Sequence, residues 1–376
     1  MRACATAPTP LPGDSGNPID EAMVSAIAEH RTRQPCPALH SNGPKDLTKP
    51  PVRPVRWQPP PSTPLPEPDM DAALVVVGLS GDAPEDVVAD TEGNIWTGVE
   101  DGRLMRLAGD GTGAQVIADT RGRPLGLAVA RDGRLLICDS RRGLLRCDPT
   151  SGKLETLVSQ VARRPLAFCS NVVEASDGTI FFTQSAEGFG YEYYKGAVLE
   201  ARATGSLFRR NNDGTVDVLA SGLYFANGVT LTADESAVVF AESMGCRLSK
   251  YWLTGQRAGS ITALVTELPG YPDNISTGSD GRIWVALASE RNRVSEWLLP
   301  RTPIARKLLW RLPYRWMPDL KPTVWAVAFD PDDGHVVNQL RTTHPAFGLV
   351  TGVAETRGRL WLGCIGAPAL GYVSLH

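Results

Sequence analysis

The sequence predicts an all-β fold, a six-bladed β-propeller preceded by a disordered, proline-rich N-terminal tail. A short hairpin pattern recurs six times, with opening residues at positions 85, 125, 171, 227, 273 and 351. The intervals are 40, 46, 56, 46 and 78 residues, and a four-stranded propeller blade typically needs roughly 40–50 residues. Almost no segment shows the apolar period of a long helix. An open sandwich is the alternative, but it does not explain the regular spacing.

The tail occupies residues 1–69 and differs in composition from the rest of the chain. It contains 16 of the 30 prolines, including the run PPVRPVRWQPPPSTPLPEP. Because proline lacks a backbone N–H donor and restricts φ, we expect a largely disordered, extended segment. An inert extension and a partner-docking segment are both compatible with this composition. Residues 70–376 form the predicted propeller domain.

Each repeat unit combines an apolar strand, a tight turn and a second apolar strand. The turns carry Glu-Gly, Asp-Gly, Asp-Glu or Arg-Gly pairs, in which a Gly or small polar residue accepts the left-handed backbone. The strand after each turn is rich in Ile, Leu, Trp, Val and Phe, as expected for a strand covered on both faces. Pairing of residues 73–77 with the last unit is predicted to close the ring.

The longest interval contains an insertion at about residues 289–325. This segment is basic and holds four of the nine tryptophans. One interpretation is an amphipathic flap that lies over one face of the ring or contacts a lipid surface. The other is an elaborated loop that packs its tryptophans on the blade edges. The prolines interrupt any long helix and favour the second interpretation.

Composition excludes several classes of function. The net charge of −3 and the pI of about 6.0 provide no basic surface for nucleic acid. No run of about 18 apolar residues predicts a membrane span, and the N-terminus lacks the apolar segment of a secretory signal. The seven cysteines are irregularly spaced and form no CxxC pair. We therefore expect reduced thiols and a cytoplasmic location.

The opening residues of the repeats predict a metal site. In a propeller, the innermost strand of every blade starts near the central axis, so these side chains are expected to meet. Carboxylate and amide oxygens without Cys or His are typical ligands of Ca²⁺. A single Asn or Asp more commonly caps a turn, but equivalent placement in separate repeats favours the metal. The predicted ligands are Glu85, Asn171, Asn227, Asp273 and Asn274.

The same strand ends provide candidates for catalysis and substrate binding. Asp273 is predicted to orient or deprotonate an attacking water, or to attack directly. His344 precedes the sixth unit and is a candidate acid or base, with a surface histidine as the alternative. Aromatic walls favour an apolar or aromatic substrate, although such rings also fill gaps between blades. The predicted substrate-binding residues are Phe168, Phe225, Tyr271, Phe347 and Thr351, with the 191–194 loop as a further candidate.

Several motifs together resemble a known family. They are PEDVV, PLGLAVARDGRLLICDS, FANGVTLTADESAVVFAE, KYWLTGQRAG, LPGYPDNI and GRLWLG. With these motifs the chain resembles the strictosidine synthase-like and adipocyte plasma membrane-associated protein-like family, within the gluconolactonase–paraoxonase propeller superfamily. The resemblance implies a six-bladed propeller with a central calcium. It also implies the calcium ligands Glu85, Asn171, Asn227 and the Asp273–Asn274 pair.

Two positions depart from the family patterns. Strictosidine synthases carry a glutamate at the start of the sixth blade, where this chain has Thr351. Paraoxonases carry a histidine at the start of the second blade, where this chain has Leu125. The first departure argues against amine–aldehyde condensation. The second removes a proton relay used in lactone hydrolysis.

The sequence therefore predicts a calcium-dependent hydrolase of lactones or aryl esters, in which the metal acts as a Lewis acid. A non-catalytic, calcium-stabilised binding propeller is the alternative from another class, and an amine–aldehyde condensing enzyme is a third. The expected partner is a small ester or lactone. Nucleic acid and a membrane span are not expected, whereas peripheral membrane contact by residues 289–325 stays open.

Overall fold

The structure is a computed structural model that describes residues 49–70 and 73–375, without the side chain of Arg315. Within these residues, six antiparallel four-stranded sheets follow one another, and the last packs against the first. The predicted six-bladed β-propeller is confirmed. Predictions for residues 1–48 lie outside the described residues.

The first three blades contain strands β2 to β9 and β12 to β15, with a two-stranded hairpin before the third blade. Blade 1 comprises β2 (Val87–Ala89), β3 (Ile95–Gly98), β4 (Arg103–Leu107) and β5 (Gln115–Asp119). Blade 2 comprises β6 (Pro124–Val129), β7 (Leu135–Asp139), β8 (Gly143–Cys147) and β9 (Leu154–Val158). The hairpin is β10 (Gln160–Val161) and β11 (Arg164–Pro165). Blade 3 comprises β12 (Cys169–Glu174), β13 (Ile180–Gln184), β14 (Gly205–Arg210) and β15 (Val216–Leu223).

The remaining blades are completed by the first strand of the chain. Blade 4 comprises β16 (Ala226–Leu231), β17 (Ala237–Glu242), β18 (Arg247–Trp252) and β19 (Ile261–Val265). Blade 5 comprises β20 (Gly270–Thr277), β21 (Ile283–Glu290), β22 (Val324–Phe329) and β23 (Val336–Thr342). Blade 6 comprises β24 (Val350–Thr356), β25 (Arg359–Cys364), β26 (Ala369–Ser374) and the early strand β1 (Val75–Gly78).

The ring closes where β1 pairs antiparallel with β26. Val75 lies opposite Tyr372, and Gly78 lies opposite Ala369. This pairing confirms the predicted closure by residues 73–77. Because a strand from the start of the propeller completes its last blade, opening the ring requires breaking one strand–strand ladder.

A separate apolar cluster fills each space between neighbouring blades. Trp284 of blade 5 packs with Val350 of blade 6, and Trp361 of blade 6 packs with Val87 of blade 1. Four further clusters occupy the other blade interfaces. The second strand of each blade is buried on both faces, which explains its continuous apolar sequence.

Residues 49–70 form an extended strap across the propeller. They contain no helix or strand, as their prolines predict. The expectation of a largely disordered segment does not hold here, because Val52, Pro54 and Pro59 are buried and the backbone hydrogen-bonds to a helix, a strand and two loop positions. These backbone hydrogen bonds join Val55 to Glu200, Trp57 to Leu299, Thr63 to Glu267 and Asp69 to Gln339.

Three helices cover the same side as the strap. Helix α1 (Tyr194–Glu200) lies between β13 and β14, whereas α2 (Arg293–Leu298) and α3 (Pro303–Arg311) belong to the insertion between β21 and β22. Short 3-10 turns occur at Tyr191–Tyr193, Gly255–Arg257 and Tyr314–Trp316. Among the residues described, no helix has the length and apolar character needed to cross a bilayer.

The four tryptophans of the insertion divide into two pairs. Trp310 and Trp325 are buried, as the elaborated-loop interpretation expects. Trp297 and Trp316 are 58% and 62% exposed. That interpretation therefore accounts for only half of the tryptophans.

Candidate metal centre and substrate cavity

The innermost strands bulge where they carry their polar residues. In blade 3, Cys169 pairs with Gln184 and Val172 with Phe182, so two residues face the single residue Thr183. Comparable irregularities occur in blades 2, 4, 5 and 6. A bulge of this kind turns consecutive side chains toward one region. Five innermost strands therefore contribute two consecutive residues to the hub, and in blade 1 the equivalent pair, Glu85 and Asp86, directly precedes β2.

These pairs define two rings of residues. The first ring consists of Glu85, Leu125, Ser170, Asn227, Asp273 and Thr351. The second ring consists of Asp86, Gly126, Asn171, Gly228, Asn274 and Gly352. Five of the first-ring residues line a cavity, but the second-ring residues are not among its lining. The second ring therefore lies beneath the cavity floor.

Asn171 belongs to the second ring. Asn171 was predicted to be the equivalent of Asn227, but the bulge makes Ser170 the first-ring residue of blade 3. The Ser170 hydroxyl donates to Asn227 Oδ1 at 2.9 Å. The register of the repeat was thus misjudged by one residue in this blade.

Glycine alternates with larger polar residues in the second ring because the innermost strands approach closely there. A Cβ at Gly126 would lie 2.4 Å from the Asn171 Cα, and one at Gly228 would lie 2.5 Å from the Asp273 carbonyl oxygen. A Cβ at Gly352 would lie 2.8 Å from Asp86 Oδ1. The three glycines make room for their polar neighbours.

Side-chain hydrogen bonds connect the predicted ligands. The Asn171 amide donates to Asn274 Oδ1 at 2.9 Å, and the Asn274 amide donates to Glu85 Oε2 at 3.1 Å. The Asn227 amide donates to Asp273 Oδ1. The structure therefore brings together all five predicted ligands, which come from blades 1, 3, 4 and 5.

Asp86 is a third buried carboxylate at the hub. It accepts hydrogen bonds from the Asn171 amide at 3.2 Å and from the backbone N–H of Leu127 and of Val87, both at 2.9 Å. Asp86 was not among the predicted ligands, although it directly follows Glu85 in the sequence. The Asp273–Asn274 pair could have indicated it, because two consecutive polar residues in blade 5 correspond to Glu85 and Asp86 in blade 1.

Burial raises the pKa of the three hub carboxyls. Removal from water raises the pKa of Asp86 to about 7 and that of Asp273 to about 8, and the negative charge of Asp86 adds to the effect on Asp273. The pKa of Glu85 is raised well above its ordinary value by burial and then by repulsion from Asp273 and Asp86. Arg123 opposes this shift. A nearby cation would favour the charged forms.

The donor set fits a hard divalent cation. Glu85 and Asp273 supply carboxylate oxygens, Asn171, Asn227 and Asn274 supply amide oxygens, and no Cys or His competes within this set. All three amide side chains direct a nitrogen toward a carboxylate, Asn171 toward Asp86, Asn227 toward Asp273 and Asn274 toward Glu85. Rotation of each side-chain amide by half a turn would present its oxygen instead, because the amide oxygen and nitrogen are nearly isosteric. The residues therefore fit Ca²⁺.

A largely apolar cavity of about 150 Å³ opens above the first ring. Three predicted substrate-binding aromatics, Phe168, Phe225 and Tyr271, line it, and so does Thr351. The Phe168 and Phe225 rings meet edge to face with centroids 5.3 Å apart. Additional walls come from the strap, helix α1 and the insertion, including Trp57, Tyr194, Val198, Leu298, Leu309 and Met317.

Phe168 and Phe225 adopt the left-handed backbone region, with φ values of 56° and 62°. This conformation is costly for a bulky side chain and persists only where surrounding contacts impose it. Each residue directly precedes an innermost strand, β12 or β16. The repeated feature directs both rings into the cavity.

Tyr191, from the predicted 191–194 loop, and Arg123, which was not predicted, also belong to the site. Tyr191 lines the cavity, and the Arg123 guanidinium lies 4.8 Å from its ring centroid. Arg123 is 1% exposed and donates to the Ala83 carbonyl at 3.0 Å.

Two predicted site residues do not reach the cavity. His344 is not among the lining residues, and its Nδ1 accepts a hydrogen bond from the Ala346 N–H. Phe347 is 2% exposed in the core between blades 5 and 6. The structure therefore gives no support to His344 as acid or base. Phe347 fills a gap between blades, which was the alternative role for these aromatics.

Comparison with known proteins shows a family match over most of the propeller. Residues 83–298 match the model of the SMP-30/gluconolactonase/LRE-like region. The protein strictosidine synthase-like 10 of Arabidopsis thaliana is 31% identical over 337 residues, which are 82% of this chain and 89% of the relative. The adipocyte plasma membrane-associated protein of Danio rerio is 29% identical over 299 residues, 73% of this chain and 71% of the relative.

Solved structures share the fold at low sequence identity. A gluconolactonase from Xanthomonas campestris superposes with a TM-score of 0.61 at 19% identity, covering 88% of this chain and 99% of that chain. The calcium-binding protein regucalcin from Agrobacterium tumefaciens gives a TM-score of 0.56 at 16% identity, covering 81% and 96%. At such identities the likeness shows the shared architecture.

Proposed function

This chain belongs to the SMP-30/gluconolactonase/LRE-like family as a strictosidine synthase-like member, and on that premise we propose that it is a calcium-dependent hydrolase of lactones or aryl esters. One observation carries the proposal. Two carboxylates and an amide, those of Glu85, Asp273 and Asn227, line the floor of an otherwise largely apolar cavity. Gluconolactonase and calcium-binding neighbours with the same fold support it.

Glu85, Asn227 and Asp273 would hold the ion from the cavity side, and Asn171 and Asn274 would hold it from beneath. When bound, Ca²⁺ supplies a positive charge that polarises an ester carbonyl and stabilises the oxyanion formed on attack. The aromatic walls exclude water from the apolar part of the substrate and orient its carbonyl toward the floor.

Asp273 is the proposed general base. A nearby cation favours the charged form of this carboxylate, and one of its oxygens would then accept a proton from an attacking water. The Ser243 hydroxyl positions this residue by donating to the Pro272 carbonyl at 2.6 Å.

Condensation of an amine with an aldehyde is not favoured at this site. The Thr351 hydroxyl donates to the Glu85 backbone carbonyl at 2.6 Å. This position therefore holds a neutral group that is already engaged, rather than the carboxylate of the synthases.

The test is hydrolysis of phenyl acetate and a panel of lactones, with calcium and with a chelator. We expect turnover that the chelator abolishes, and a loss of about 10²–10³ in kcat/KM for Asn227→Ala and Asp273→Asn. Asn212→Ala, on an exposed turn of blade 3, is the matched control. Calorimetric calcium binding without turnover of any substrate would contradict the proposal. That result would favour the non-catalytic binding propeller.

A further inference from the structure

Exposed apolar side chains concentrate on the strap and the insertion. Seven large apolar residues there are between 37% and 63% exposed, and they include the exposed tryptophans Trp297 and Trp316. We call this group the docking face. Its members are Val55, Val294, Trp297, Ile304, Leu308, Leu312 and Trp316.

The rest of the described surface is different. Its exposed large apolar residues are four aliphatic side chains, each on a strand of a different blade: Val75, Val116, Val218 and Ile261. Single exposed aliphatic residues are ordinary on soluble proteins, whereas a contiguous apolar patch marks an interaction site. The docking face differs in its aromatic content and in drawing seven exposed apolar side chains from two segments that contact each other, the strap and the insertion.

Helix α3 has apolar residues on two opposite faces. Ile304, Leu308 and Leu312 follow one another at intervals of four residues and point outward. Trp310 is buried beneath the strap, and Leu309 lines the cavity. Packing against the propeller therefore explains only the inner face, and the outer apolar row has no partner within the described residues.

Cations surround the docking face. The exposed cationic residues are Arg53, Arg56, Arg293, Arg301, Lys307 and Arg311. Between residues 291 and 316 the only acidic residue is Glu296, which is paired with Arg291. The Arg301 guanidinium lies 3.7 Å from the Trp297 ring centroid, so a cation stacks on one of the exposed indoles.

We propose that the docking face binds the surface of an anionic lipid bilayer. Outward tryptophans and aliphatic side chains with a rim of Lys and Arg have the chemistry of a bilayer interface, where indoles sit at headgroup level and cations meet anionic lipids. The charge of the rim selects this occupant over a neutral apolar partner. The inference is independent of the hydrolase proposal.

Docking would also place the cavity beside the lipid. Val294 lines the cavity and is 62% exposed, so it lies at the mouth. The same helices that present the docking face form the cavity wall through Leu298 and Leu309. An apolar molecule dissolved in the bilayer would reach the cavity without crossing bulk water.

Vesicle co-sedimentation of the full chain tests the proposal. We expect binding to vesicles of phosphatidylcholine mixed with phosphatidylserine, and at least about tenfold weaker binding to pure phosphatidylcholine. The double variants Trp297→Ser/Trp316→Ser and Arg301→Glu/Lys307→Glu should each weaken binding to the mixed vesicles about tenfold or more. Val116→Ser/Ile261→Ser, at exposed positions of other blades, should bind as the wild type does.

Other results would overturn the proposal. They include absence of binding to mixed vesicles, equal binding to both compositions, or an equal loss in the control variant. Analytical ultracentrifugation provides a second measurement. A wild-type dimer that Trp297→Ser/Trp316→Ser dissociates, without vesicle binding, would assign the face to a second copy of the chain. Circular dichroism checks that each variant is folded.

Discussion

At the scale of single residues, the candidate site depends on where glycine is placed as much as on the ligands. The second ring alternates Asp86, Asn171 and Asn274 with three glycines. At each glycine the neighbouring strand lies so close that an added Cβ would clash with it. The polar residues were visible in the sequence. Their spacing around the hub depends on the three glycines, which allow the innermost strands to approach one another.

Gly228→Ala is predicted to disable the metal site without unfolding the ring. The added Cβ would lie 2.5 Å from both the Asp273 carbonyl oxygen and the Ile275 nitrogen, so β20 must shift. We expect calcium affinity to fall at least about tenfold and the free energy of unfolding to fall by about 1–3 kcal/mol. Isothermal titration calorimetry measures the affinity.

Gly78→Ala is the control for this substitution. Its Cβ would meet no atom within 4 Å, and Gly78 does not adopt positive φ. Its calcium affinity should match the wild type. Equal affinity in Gly228→Ala would show that close strand approach is not what places Asp273.

At the scale of elements, the strap and insertion stabilise each other. Arg306 of α3 is fully buried, and its guanidinium donates to the Leu199 carbonyl at 2.8 Å and to the Val55 carbonyl at 2.5 Å. The Trp310 indole donates to the Pro50 carbonyl at 2.8 Å. Proline supplies carbonyl acceptors but no donors, so a proline-rich chain is held by donors from another element.

Arg306→Lys is predicted to release the strap. A lysine ammonium cannot reproduce the fork that reaches two carbonyls at once, and a charge-assisted hydrogen bond contributes about 1.5–3 kcal/mol. We expect limited proteolysis within residues 49–70 to become about tenfold faster or more, with the propeller intact. Mass spectrometry of the fragments identifies the cleavage sites.

Arg257→Lys serves as the matched control, because Arg257 is exposed on a surface turn of blade 4. Its cleavage rate should equal that of the wild type. If Arg306→Lys is cleaved no faster than this control, the guanidinium does not hold the strap.

At the scale of the whole molecule, the candidate calcium ligands join blades that are far apart in sequence. Glu85 and Asn274 are 189 residues apart and share a hydrogen bond. Together with the β1–β26 pairing, the hub connects the start of the ring to its later blades. A ligand bound only to the closed ring stabilises it by mass action.

Without calcium, the melting temperature is predicted to fall as pH rises. Asp273 has a pKa of about 8 in the folded protein against an ordinary 3.8, so between these values the folded state binds more protons than the unfolded state. Its stabilising contribution is complete below about pH 4 and is lost as pH rises through about 8. Calcium should reverse the loss, because it favours the charged form.

Differential scanning calorimetry at pH 5.5 and about 8 checks this expectation. With chelator, the higher pH should lower the melting temperature by at least about 3 °C, and excess calcium should raise it. Asp273→Asn should reduce both effects. A melting temperature that responds to neither pH nor calcium would contradict the buried-carboxylate account.

The sequence by itself determined the ring of six blades, its closure and the polar chemistry of the strand starts. These features follow from local patterns, because hairpin turns, apolar strands and oxygen side chains repeat at blade intervals. Glu85, Asn227 and Asp273 were identified on this basis. Only the tertiary structure decided that Asn171 lies one layer deeper, that Asp86 joins the hub, and that Phe347 fills a blade interface while His344 does not line the cavity. It also decided that residues 49–70 are held against the propeller. The register of the bulges, the depth of Asn171 below the cavity floor and the packing of the strap all depend on contacts between residues distant in sequence. No local pattern encodes such contacts.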